Sequence, residues 1–295
     1  MKKVKFYIGI LTLATGTILT SCAGEEEIDD NIIVEDTDST ENIEEHLEVD
    51  YAVPTPNELF EIIKSQGGEQ QVGLVNPIEN RDNYVETKEK AMGFGVYSAD
   101  LAYMSCFGIG TEFLKYMKVI EEMGEELGID GAFDEDLMDR IENNEGDTDS
   151  LFAISNETYY DSYLYLEENG KGVELSLIMG AGYIESLYII CNLVDGYKEN
   201  DPVIEKIGDQ KLVLENLMDF VATYSDDAGV QEMVNDLVSL QEVFETTMDF
   251  EESGTNVDNN DGKLVVSGGG SFVMNAQALT DITAKVTELR DNIIN

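Results

Sequence analysis

Residues 173–194 read Val-Glu-Leu-Ser-Leu-Ile-Met-Gly-Ala-Gly-Tyr-Ile-Glu-Ser-Leu-Tyr-Ile-Ile-Cys-Asn-Leu-Val. Two glutamates, Glu174 and Glu185, are the only charges in a run otherwise apolar, small or neutral. A helix that is apolar all round has no face for solvent and belongs inside a fold. The stretch therefore predicts a central helix, and the rest of the chain supplies amphipathic helices to cover it.

Those helices are marked by their ends. Thr55-Pro56-Asn57-Glu58 combines an N-cap, a proline at the first helical position and a glutamate at the third, ahead of Leu59, Phe60, Ile62 and Ile63. Gly67 and Gly68 close that helix. A long helix is expected from Asp82 to Cys106, with Ala91, Gly95, Ala99, Ala102 and Cys106 as a stripe of small residues that lets another helix approach closely. Thr111 is read as the cap of a third helix, ending at Gly128. A short acidic helix spans Asp134 to Ile141. Asp149 or Ser150 starts a tyrosine-rich helix, and Gly170 ends it. Asp201-Pro202 caps the next, another runs from about Asp227 to Met248, and Asn275 caps the last. Between these final two, Gly262 to Met274 reads as two short strands around Gly268-Gly269-Gly270. With no fixed-period repeat and no proline-rich linker, the expected fold is all-α: a single-domain bundle of about eight helices with one small β-hairpin before the last helix.

The first residues carry a different message. Lys2, Lys3 and Lys5 precede a mostly apolar run from Phe6 to Leu19, too short for a comfortable membrane span and shaped like a secretory signal. Leu19-Thr20-Ser21-Cys22 resembles the bacterial lipobox, in which the cysteine thiol takes up a diacylglyceryl group and becomes the first residue of the mature chain. From Glu25 to Asp50 there are 13 acidic residues and no Lys or Arg, the composition of a solvated tether. An acidic patch behind the lipid cysteine resembles the export signal of Bacteroidota surface lipoproteins. The expected layout is thus a signal peptide over 1–21, an acidic tether with lipidated Cys22 over 22–53, and a helical body over 54–295. The expected address is the outer membrane, lipid-anchored and facing the exterior, with the periplasmic face as the alternative.

A formal net charge of −45 repels phosphate backbones, which excludes nucleic acid, and disfavours lying flat on anionic lipid. Apart from Cys22, the cysteines are Cys106 and Cys191, either two buried thiols or a disulfide formed after export. The only histidine, His46, sits in the tether, so Ser-His-Asp, Cys-His and His-based zinc chemistry have no donor in the body. There is no G-x-S-x-G, Walker loop or H-E-x-x-H. Aligned as an EF-hand, Asn256 to Gly262 puts Val257 and Gly268 where oxygen donors are required, and Glu145 to Asp149 lacks a full ligand set. No cofactor, no metal and no catalytic residue is assigned.

One constellation stands out. Tyr97-Ser98-Ala99-Asp100-Leu101-Ala102-Tyr103 and Tyr183-Ile184-Glu185-Ser186-Leu187-Tyr188 each set a carboxylate inside an apolar, small-residue helix. A carboxylate there needs donors or a wet pocket. Tyr97, Asp100, Tyr103, Glu185 and Tyr188 form the candidate ligand pocket, and paired acids could serve general acid/base work. The other reading is that each acid braces a neighbouring helix.

Asn76-Pro77-Ile78-Glu79-Asn80, Tyr84, Lys90-Ala91, Gly95-Val96-Tyr97, Ala99-Asp100-Leu101, Gly182 to Tyr188 and Lys285 to Ile294 together resemble an uncharacterised family of helical Bacteroidota outer-membrane lipoproteins. That resemblance implies fold and address, and no activity. The expectation is a non-catalytic binding or accessory subunit, held to the membrane through Cys22 and meeting a protein partner or small ligand. The alternatives are a carboxylate-dependent hydrolase using Asp100 and Glu185, and a passive structural envelope protein.

Overall fold

The computed structural model describes residues 55–295 apart from 72, 109, 130–132, 134, 145–146, 252–255, 261–262 and 268–270. The expected signal, Cys22 and the acidic stretch with His46 lie outside the described residues. The chain is all-α in class. Nine α-helices occur among the described residues: α1 (Pro56–Ser65), α2 (Thr87–Phe107), α3 (Gly110–Leu127), α4 (Glu135–Asn143), α5 (Thr148–Glu168), α6 (Gly172–Leu193), α7 (Pro202–Ala222), α8 (Ala228–Thr247) and α9 (Ala276–Ile294). Residues 49–295 form one compact unit.

Local chemistry explains the boundaries. In α1 the Thr55 hydroxyl accepts from the Glu58 amide at 3.2 Å while Glu58 accepts from the Thr55 amide at 3.0 Å, a reciprocal capping box. Asp201, Asp227 and Asn275 cap α7, α8 and α9 through their side-chain oxygens. Three starts differ from expectation. A 3₁₀ turn occupies Ile78–Asn83, and α2 begins only at Thr87. There Glu89 accepts from the amides of Val85 and Glu86, and this box outcompetes an earlier start. The cap of α5 is Asp147, whose Oδ1 accepts from the amides of Asp149 and Ser150. Thr111 lies inside α3, which begins at Gly110.

The small hairpin around Gly268–Gly270 does not form as read. Four short extended segments occur: β1 (Asp249–Glu251), β2 (Asn256–Asn260), β3 (Lys263–Ser267) and β4 (Ser271–Val273). However, β3 pairs with β2 and β4 pairs with β1, both antiparallel. Asn260 faces Lys263, so the connection between β2 and β3 is the dipeptide Asp261-Gly262, a sequence that two-residue hairpins favour.

Two helices organise the core. Helix α6 is long and apolar enough to cross a membrane, yet 83% of its apolar window is buried inside the fold. It packs most extensively on α2; α1, α3 and α5 surround α2, and α7, α8 and α9 surround α6. The α2–α6 crossing rests on Gly95 and Gly182. A Cβ on Gly95 would stand 2.2 Å from the carbonyl oxygen of Ile178, and one on Gly182 would stand 3.2 Å from that of Gly95. The close approach brings the middle of each helix, where the two acids sit, side by side.

Candidate functional site

Asp100 from α2 and Glu185 from α6 are both 0% exposed. Glu185 Oε2 accepts from Arg290 Nε of α9 at 2.7 Å, and the arginine side chain is itself only 8% exposed. Arg290 also donates to the Leu74 carbonyl at 3.2 Å and lies 4.1 Å from the centre of the Tyr188 ring, a cation–π contact. Asp100 Oδ2 accepts from the Asn76 amide at 3.0 Å.

Asn76 is the hub of the segment before α2. It is fully buried, its side-chain amide donates to the Tyr84 hydroxyl at 3.1 Å, and its carbonyl accepts from Tyr116 at 2.7 Å. Asn80 donates to its side-chain oxygen at 2.7 Å. Next to it, the Tyr97 hydroxyl donates to the Pro77 carbonyl at 2.9 Å, with its ring edge-on to Tyr84 and Tyr116. Burial pushes the phenols of Tyr84, Tyr97 and Tyr116 upward, so they remain neutral. The motif around Asn76-Pro77, both acids and the last helix thus form one buried polar network.

Its protonation follows from its geometry. Asp100 Oδ1 and Glu185 Oε1 are buried with no donor among the described residues, although the two carboxyls touch each other. Two ionised carboxylates in contact repel, and one proton between them satisfies both oxygens. Burial, then the neighbouring Glu185 charge, raise Asp100 well above the usual carboxylate range, against the opposing pull of the Asn76 amide and Arg290. Burial also raises Glu185, but Arg290 opposes it directly. The proton the pair shares is drawn towards Asp100, because Arg290 favours the charge on Glu185.

Of the five candidate pocket residues, Glu185 and Tyr188 meet at Arg290, Asp100 lies against Glu185, and Tyr97 flanks them. Tyr103 is engaged elsewhere: its hydroxyl accepts from the Gln71 amide at 2.8 Å and donates to the Gln71 carbonyl at 2.9 Å. None of the five lines the clefts beside Ser98, between Lys88 and Glu232, or between Gln71 and Asp195. The arrangement braces three segments: α6, α9 and the stretch before α2. Sequence reading missed Arg290 and Asn76. The signal for Arg290 was its place in the apolar stripe of α9, beside Leu289 and Ile293.

Cys106 and Cys191 are separate buried thiols. Burial pushes each up to about 12. No group of three or more His, Cys, Asp or Glu side chains positioned to hold a metal ion occurs among the described residues. No protein-family model, curated protein or solved structure matches the chain.

Proposed function

We propose that this chain is a lipid-anchored envelope protein acting as a non-catalytic binding or accessory subunit. The observation that carries the reading is Leu19-Thr20-Ser21-Cys22 behind a basic start and a short apolar run, followed at once by acid. In this reading residues 1–21 are a signal, 22–53 a tether, and 54–295 a single helical bundle. The address is the outer membrane, facing outward, as the resemblance to Bacteroidota lipoproteins implies. Two features of the body support a non-catalytic role. Asp100 and Glu185 are closed off from solvent and engaged in bracing. Most of the body's cations already have partners, for example Lys88 with Glu232, Lys90 with Glu126 and Lys115 with Glu112. The surplus acid therefore suits a protein partner with a basic surface.

The test is metabolic labelling with a clickable palmitate analogue, followed by cell fractionation of the chain and its Cys22→Ser variant. Label on the wild type alone, with the variant released from the membrane fraction, is the expected result. An unlabelled wild type refutes the anchor. Protease added to intact cells separates the outer face from the periplasmic one. Cross-linking in cells distinguishes an accessory subunit, which brings a reproducible partner, from a passive structural envelope protein. A carboxylate-dependent hydrolase using Asp100 and Glu185 would need both carboxyls to reach substrate.

A further inference from the structure

Two clefts of about 30 Å³ each flank the α2–α6 seam, the first towards α5 and the second towards α1 and α7. Ser98, Tyr159, Ile178 and Met179 line both, so a single layer of side chains stands between them. The first is mostly apolar, with Leu101 and Leu166 in its wall. The second reaches Gln210 of α7. Gln210 is 3% exposed, and its Nε2 donates to the Lys206 carbonyl at 3.3 Å. Its Oε1 is buried with no hydrogen-bond partner among the described residues. A buried acceptor without a donor is costly in a folded protein.

Two serines of the second cleft point the same way. Ser98 and Ser186 spend their hydroxyl protons on the carbonyls of Phe94 and Gly182 in their own helices, at 2.7 Å each. They turn only lone pairs elsewhere. No Asp, Glu, Lys or Arg lines either cleft, in a chain whose net charge is −45. A charged group would find no counter-ion there, so an occupant must be neutral. Tyr159 is half-buried over both clefts. Met179, an unbranched thioether that changes shape readily, is part of the layer between the two spaces.

We propose that the paired clefts are a binding site for a small uncharged amphiphile, its hydrogen-bond donor on Gln210 Oε1 and its short alkyl tail between Leu101, Leu166 and Ile178. The inference concerns the body alone and holds whether or not Cys22 is lipidated.

The probes are 1-butanol and its isomer 1-methoxypropane, which has the same atoms and no donor. Each is titrated into the purified chain carrying ¹³C-methyl methionine and isoleucine, and the methyl signals of Met179 and Ile178 are followed. Saturable shifts with 1-butanol at about fivefold higher affinity than with the ether, the worth of one neutral hydrogen bond, are expected. Gln210→Met should bring the alcohol down to the ether's affinity. Equal binding of both probes refutes the role of Gln210, and that comparison needs no variant. Absence of a saturable shift with either probe means that the clefts hold solvent only, and overturns the site. An alcohol preference that survives in a folded Gln210→Met also overturns it.

Discussion

Replacing each buried acid by its amide should give opposite results at neutral pH. In Asp100→Asn the amide oxygen can still accept from the Asn76 amide, and the new N–H₂ donates to Glu185 as the shared proton does. Every hydrogen bond survives, so the change should cost less than about 1 kcal/mol. In Glu185→Gln the charge opposite Arg290 disappears, and at 8% exposure Arg290 has no access to water in compensation. Breaking one side of a buried ion pair costs about 3–5 kcal/mol. Arg290 keeps the Leu74 carbonyl and the Tyr188 face, which sets the loss near the lower end, about 3 kcal/mol. The pH dependence sharpens the contrast. Asp100 titrates higher in the folded chain than in the unfolded one. The folded state therefore binds the extra proton. Its stabilising contribution is complete below about pH 4 and is lost as pH rises through the folded pKa, at no more than about 1.4 kcal/mol per pH unit. The Asn variant lacks that loss, so it should gain on the wild type as pH rises. Urea unfolding of the three proteins between pH 4 and 8 measures all of this. A Glu185→Gln variant no weaker than Asp100→Asn, or two parallel pH curves for wild type and Asp100→Asn, would refute the shared proton.

Gly95→Ala forces a Cβ to 2.2 Å from the Ile178 carbonyl oxygen, a backbone atom that cannot turn aside, so it should destabilise by about 3 kcal/mol or more in the same urea assay. Gly180→Ala, whose new methyl meets only the flexible Met233 side chain, should lose less. Raising NaCl from about 0.02 to 0.5 M should stabilise the chain, since screening weakens the self-repulsion of a net charge of −45; a melting temperature that falls with salt would contradict this. Cys106 and Cys191, both pushed up to about 12 by burial, should resist a thiol reagent at pH 8 until the protein is unfolded, as a colorimetric thiol count would show.

Much of the fold was legible because its signals are local. A cap such as Asp201-Pro202 or Asn275 acts on the next turn of its own chain, and the all-round apolarity of residues 173–194 needs no partner to interpret. The Asp147 cap was misplaced because Asp147, Thr148, Asp149 and Ser150 all carry cap-forming oxygens and only geometry selects among them. Pairing β3 with β2 instead of β4 depends on which loop closes, which composition does not rank. The convergence of Asp100 and Glu185 was foreseeable from glycines on both helices. Their role was not, because the third partner stands 105 residues beyond Glu185 and looks, in sequence, like an ordinary helix arginine.

That separation has a consequence for how the molecule is made. Glu185 and Leu74 both wait for Arg290, which stands 105 residues after the one and 216 after the other. During synthesis the central helices emerge long before their counter-charge, so a growing chain holds an unanswered acid at the middle of its core. Closure cannot precede the synthesis of α9. Stop codons anywhere before α9 should yield products that never mature, and quality-control proteases would see them as unfinished.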